Sequence, residues 1–203
     1  SRKLPWRRAQ SIAKQTSGSL IFPFARTALR EDEWQWVSVV ADDNFFAYAV
    51  DDRALPQTFD DLKSVPRLGV LAGGAPNSIA QEQGFQFDTA PNEEINFYKL
   101  ILGRVDVILS QGYMAMAGMT CVRDKMMSNS EMLNNLSRVK RSQSLQLLPL
   151  WLATSLKTPP AEVAKLRQAI EDFKKKPEYE AILARYKMPL PLDRVNCLPQ
   201  QLQ

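Results

Sequence analysis

LGVLAGGAPNSIAQ, residues 68–81, decides the fold class. A short apolar run meets the double glycine Gly73-Gly74, and Pro76 and Asn77 then open a helical pattern. Strand, glycine turn and helix in succession form the unit from which α/β sheets are built. The unit aims backbone N–H groups and the positive end of a helix at whatever lies beyond the strand. No Gly-Lys-Ser/Thr follows, so this is not a nucleotide P-loop, and G-x-G-x-x-G is absent. A tight turn that merely needs small residues would have the same composition.

Further apolar runs lie on both sides. LIFPF (20–24), WVSVV (36–40), FFAYAV (45–50), RLGVL (67–71), VDVIL (105–109) and LPLWLA (148–153) read as strands, being short and rich in β-branched or aromatic residues. Helical patterns alternate with them. APNEEINFYKLILG (90–103) sets Ile95, Tyr98 and Leu102 on one face and stops at Gly103. SNSEMLNNLSRVK has Ser128 and Glu131 at capping-box spacing. TPPAEVAKLRQAIEDFKKK has Thr158 as its cap and the stripe Val163, Leu166, Ile170 and Phe173. A second helix from Pro177 carries Tyr179, Ile182, Leu183 and Tyr186 on one face. The alternation predicts an α/β architecture with a largely parallel sheet. The polar stretches 51–64 and 140–146 bracket the middle of the chain. They suggest one lobe of residues 55–140, a second of residues 1–50 plus 145–203, and crossings near 45–55 and 140–150.

The chain has 203 residues, 45% hydrophobic and 24% charged, ordinary values for a globular protein with a real core. No run of about 18 apolar residues is present to span a membrane. The first residues, SRKLPW, hold no initiator methionine, as expected of a chain from which a signal peptide has been removed. Net charge is +4, and the first thirty residues hold seven Lys/Arg and no Asp/Glu. Those basic residues are not interleaved with aromatics, and no nucleic-acid-binding signature accompanies them, so no nucleic-acid partner is expected. The absence of histidine removes the commonest general base and metal ligand, along with every Ser-His-Asp or Cys-His pair. Two cysteines, Cys121 and Cys197, cannot make a structural zinc site. They leave two readings, two buried thiols or one disulfide, and the disulfide would imply an oxidising compartment. Neither a metal nor a cofactor is expected.

Two more stretches stand at strand ends. FARTALRE (24–31) presents Arg26 and Arg30, whose planar forks match a carboxylate or phosphate. Arg30 followed by Glu31 could equally form a surface ion pair. GRVDVILSQGYMAM runs from a strand into Ser110-Gln111-Gly112-Tyr113. Open α/β sheets bind ligands beyond the carboxyl ends of their strands. Asp106 reads as a structural residue within the strand, next to Arg104.

PWRRA (5–9), ARTALRE with its tail EWQW (25–36), TFDDLKSVPRLGVLAGG (58–74), LILGRVDVIL (100–109) and the C-terminal 157–186, in this order, resemble bacterial extracellular solute-binding proteins of family 3. These are the polar amino-acid type that serves ABC importers. The resemblance covers nearly the whole chain. It implies a two-lobe periplasmic-binding-protein-like fold of type II that closes on a ligand between its lobes. The family has a strand and helix before PWRRA, so the first lobe is expected to be N-terminally incomplete. An oligomer would follow if another chain completes it. Carried over by position, Arg30 grips a ligand carboxylate and Ala25 offers strand-end backbone. Gly74 and Ala75 form the second lobe's carboxylate-binding turn. Gln111 stands where the family has an aspartate for the α-amino group, and Arg26 adds charge. Gln111 and Tyr113 would set selectivity, and Ser110 beside them is a further candidate ligand-binding residue. A neutral amide beside two arginines suits an acid or a non-amino-acid ligand. The implied function is capture of a small acidic or amino-acid-like molecule in the periplasm, with an ABC permease of the inner membrane as partner. A sensor or degenerate binding module of the same fold is the alternative. An enzyme fits less well, because no convergent acid and base are visible. A Cys121–Cys197 disulfide fits the periplasmic reading.

Overall fold

The computed structural model describes residues 4–51 and 55–187. Its elements are, in order, α1 (Trp6–Gln15), β1 (Leu20–Ala25), a 3-10 helix (Ala28–Glu33) and β2 (Trp34–Val50). A 3-10 helix (Asp60–Ser64), β3 (Leu68–Leu71), α2 (Ala75–Glu82), β4 (Phe87–Ala90), α3 (Glu93–Ile101) and β5 (Val107–Gln111) follow. The chain continues through α4 (Gly112–Lys125), α5 (Ser130–Ser137), β6 (Val139–Arg141), β7 (Gln146–Ser155), α6 (Pro160–Lys174) and α7 (Pro177–Lys187). Among the described residues no helix is long and apolar enough to cross a membrane. The architecture is α/β, and the chain divides into two compact units.

The middle unit is built on Asn44–Gln146. Its strands run in the order β2-β5-β3-β4, with β6 also on β2. β3 is parallel to β4 and to β5, whereas β5 and β6 are antiparallel to β2. The largely parallel sheet expected from the alternation is therefore a mixed one. Strand–helix–strand crossovers impose parallel pairing only from β3 through β5. The core gathers Tyr48, Phe97, Leu100, Ile101, Val105, Ile108, Ala115 and Val122.

α3 corrects the sequence reading of its face. Phe97, Leu100 and Ile101 point inward, while Leu102 is half exposed. Asn92 caps the helix by accepting from the Ile95 N–H at 2.8 Å, and Gly103 follows at φ +66°. α4 lies so close to α3 that a Cβ on Gly118 would stand 2.8 Å from the Cβ of Glu93 and 3.0 Å from its carbonyl. Only a glycine permits that approach. α5 is capped by Asn129, which accepts from the Met132 N–H at 3.0 Å, and not by the expected Ser128–Glu131 box. Asp106, expected within the strand, precedes β5 and is ion-paired with Arg67.

The terminal unit joins Trp6–Asp43 to the chain from Leu147 through α7. Its strands run β1-β7-β2, with β1 antiparallel to β7 from Leu20↔Thr154 to Ala25↔Leu150. The two strands expected at 36–40 and 45–50 are one, β2, whose 17 residues pass through the polar ADDN and enter both units. The core is aromatic. Phe24 is fully buried, with Trp34 edge-on at 4.9 Å, Trp36 stacked at 5.5 Å and Trp6 edge-on at 6.1 Å between ring centroids.

The stripe of α6 turns inward as expected, with Val163 buried and Leu166, Ile170 and Phe173 half-buried. Thr158 is not its cap: that position is Pro159. The Thr158 hydroxyl instead accepts from the Gly18 N–H at 3.0 Å and meets Thr154 Oγ1 at 2.7 Å. On α7, Tyr179 donates to the Val40 carbonyl at 2.9 Å and Ile182 is exposed, so the expected apolar face is not a continuous core stripe. The side chains of Leu183 and Tyr186 lie outside the described set.

Candidate functional site

In the terminal unit the candidate groups follow the end of β1. The strand stops at Ala25, and a 3-10 turn over Ala28–Glu33 doubles the chain back. The turn brings Glu31 to Arg26, which it meets through two charge-assisted hydrogen bonds, one of 2.6 Å from Nε. That bond raises the Arg26 pKa and lowers that of Glu31. The Arg26 guanidinium also lies over the rings of Trp36 and Trp151, at 5.5 and 4.9 Å. The ion pair read as Arg30 with Glu31 is thus Arg26 with Glu31, so Arg26 stands beside its own counter-charge.

Arg30 is placed differently. Only 5% exposed, it donates from Nη1 to the Ala25 carbonyl at 2.9 Å and lies 4.5 Å over the Phe24 ring. A guanidinium seated on a buried aromatic and tied to a strand-end carbonyl is held in one orientation, the preorganisation that bidentate recognition of an acid needs. Thr27, between the two arginines, is buried, and its Oγ1 has no hydrogen-bond partner among the described residues. Buried hydroxyls are nearly always paired, so Thr27 joins the candidates. Its position in FARTALRE was legible, but its burial was not.

In the middle unit the candidates sit at the carboxyl ends of two adjacent parallel strands. β3 leads through Gly73-Gly74 into α2, and β5 leads through Gln111 into α4. Gly73 has φ +69° and donates to Asn77 Oδ1 at 2.9 Å. Gly74 caps α2, and a Cβ there would approach the Leu71 carbonyl to 3.1 Å. Ala75, the first helical residue, is buried. Gln111 is buried and occupies the N-cap of α4 without a side-chain cap bond, and Tyr113 is half-buried in the first turn. Two helix N-termini on one sheet edge favour negative charge. Ser110 points inward: its hydroxyl donates to Glu93 Oε1 at 2.6 Å. Cys121 is buried on α4, and Cys197, its expected disulfide partner, lies outside the described residues.

Glu93 was not singled out from the sequence, where Asn92-Glu93-Glu94 reads as an ordinary acidic first turn. It is buried, accepting from Ser110 and, at 3.1 Å, from Asn96 Nδ2. Burial pushes its pKa above the ordinary carboxyl value of 4.5, against the lowering effect of the two hydrogen bonds. A carboxyl whose pKa is raised on folding stabilises the fold fully below its unfolded value, and that contribution is lost as pH rises through the folded value. Glu93→Gln, which never ionises, is therefore expected to unfold at a midpoint that gains on wild type as pH rises above 4.5 and runs parallel to it below. Thermal melts across that range check this, and parallel curves throughout would contradict it.

No family model and no curated protein matches the sequence. Solved structures do match. An ancestral arginine-binding protein bound to arginine has a TM-score of 0.66 at 16% identity, over 91% of this chain and 78% of that one. A histidine kinase sensor domain with similarity to periplasmic binding proteins reaches 0.70 at 15% identity, over 90% and 75%. The substrate-binding protein of an amino acid ABC transporter reaches 0.66 at 14% identity, over 92% and 79%. At such identities the likeness is one of fold, and the chain has the α/β fold of periplasmic binding proteins.

Proposed function

We propose that this chain is an extracytoplasmic binding module for a small polar ligand, acidic or amino-acid-like, and not an enzyme. The observation that carries the reading is Arg30, a buried guanidinium braced by Phe24 and the Ala25 carbonyl at a strand end. In this proposal Arg30 takes the ligand's acidic group, with Ala25 and Thr27 beside it and Arg26 bracing the turn through Glu31. The middle unit contributes the N–H groups around Gly74 and Ala75, and Gln111 and Tyr113 select the ligand. Ser110 acts behind them, through its bond to Glu93. The partner is an ABC permease in the inner membrane, the compartment is the periplasm, and no cofactor takes part.

A sensor role within a signalling protein is the second reading. It is favoured by the likeness to a histidine kinase sensor domain and by Gln111, which brings no negative charge to an ammonium.

A thermal-shift screen against L-arginine, L-glutamine, L-glutamate, succinate and phosphorylated acids tests the proposal. A ligand at about a hundred times its dissociation constant adds roughly 2.7 kcal/mol of stability. We expect a shift with acids, including succinate, which lacks an α-amino group. A flat screen would contradict the reading.

A further inference from the structure

We infer that Glu93 is a positioning residue for the β5–α4 turn, a proton-dependent clamp that sets Ser110 and, through it, Gln111. The inference rests on the functional reading above only for what that turn is for.

The clamp is assembled from three elements. Glu93 is the first residue of α3. One carboxylate oxygen receives the Ser110 hydroxyl of β5 at 2.6 Å, and the other receives Asn96 Nδ2 at 3.1 Å. Gly118 of α4 packs directly against the Glu93 backbone. Ser110 is the residue before Gln111, the N-cap of α4, so whatever fixes the Ser110 side chain also fixes the strand end that Gln111 terminates.

Among the described residues, those seen against the Glu93–Asn96 pair, Ser110 of β5, Gly69 of β3 and Gly118 of α4, are uncharged. The neighbouring Glu94 is turned to Lys125 of α4, whose Nζ is 2.8 Å from both of its oxygens. A buried carboxylate without a cation is expensive, and a proton taken from solvent relieves it.

Asn96 makes the proton consequential. It is fully buried, and its Oδ1 has no hydrogen-bond partner. Gly69 packs so tightly there that a Cβ would stand 2.6 Å from that oxygen. When Glu93 is ionised, Asn96 donates to it. When Glu93 carries a proton on the oxygen facing Asn96, that O–H needs an acceptor, and the amide supplies one by turning Oδ1 toward it. Either orientation leaves one polar atom of Asn96 against Gly69, so neither is locked. One proton thus exchanges two hydrogen-bond arrangements directly behind the turn that carries Gln111.

The test uses the ligand-free chain, followed by NMR from about pH 4 to about pH 8. The Asn96 side-chain amide and the Gln111 backbone amide are expected to shift with one shared midpoint above 4.5. Glu93→Gln should abolish both titrations while the rest of the spectrum stays folded. Ser110→Ala should keep the Asn96 titration and remove that of Gln111. A Gln111 amide that ignores pH, or titrations that persist in Glu93→Gln, would overturn the inference. L-glutamate and succinate added to the same samples separate the two claims. Coupling without binding supports the clamp and counts against the functional reading. Binding without coupling does the reverse.

Discussion

Arg30→Ala should abolish the ligand-induced thermal shift. Two charge-assisted N–H bonds to an acid, at about 1.5–3 kcal/mol each, amount to at least a hundredfold in affinity. The nearby Arg26 does not stand ready to replace them, because its guanidinium is held by Glu31 and by two indoles. Arg30→Lys keeps the charge but not the planar fork, and should lose about tenfold. Truncating a buried side chain also leaves the Ala25 carbonyl without its Nη1 donor, so folding must be controlled. Arg30→Met retains most of the bulk over Phe24 and should stay folded while binding no better than the alanine variant. Calorimetric titration of the three variants decides this. Arg30→Met binding within threefold of wild type would remove Arg30 from the site.

Phe24→Ala should be the most damaging single truncation in the terminal unit. The ring is fully buried and contacts Trp6, Trp34 and Trp36 while carrying the Arg30 guanidinium on its face. Truncations of this kind cost about 3–5 kcal/mol, because the lost apolar contact and the cavity left behind add together. Phe24→Leu, closer in volume, should cost less than about 1.5 kcal/mol. Denaturant unfolding read by tryptophan fluorescence suits the test, since Trp6, Trp34 and Trp36 surround the ring. A loss under about 1 kcal/mol for Phe24→Ala would mean that the aromatic cluster is not the core of this unit. Ligand affinity should fall in the same variant, because Arg30 loses the surface that orients it.

Much of this was legible in the sequence where the signal is local. LGVLAGGAP did place a strand, a glycine turn and a helix, because only backbone with φ near that of Gly73 makes so sharp a turn. β1, β3, β5 and β7 announced themselves as short apolar runs. What stayed hidden depends on partners remote in sequence. β4 is four residues with a largely exposed pattern, and β6 is three, so neither shows a period. α4 lacks a clean apolar stripe, since the small residues Ala115 and Gly118 and the polar Thr120 share its packed side with Val122. The polar ADDN reads as a break, yet β2 runs through it. In the candidate site, Arg30 at a strand end could be read directly. The return of Glu31 to Arg26 could not, because a 3-10 turn brings together residues that a linear reading keeps apart. Glu93 was invisible for a related reason. Its neighbours in sequence are ordinary, and its burial comes from Ser110 and Gly118.

The most direct test of the binding claim is ¹⁵N NMR of the wild-type chain, titrated with the acid that gives the largest thermal shift. The account predicts perturbations at the Arg30 Nε–H, at the backbone amides of Ala25 and Thr27, and at those of Gly74, Ala75, Gln111 and Tyr113. Binding whose perturbations fall elsewhere, for instance at the cavity of about 240 Å³ lined by Phe59, Ile79 and Phe85, would contradict it.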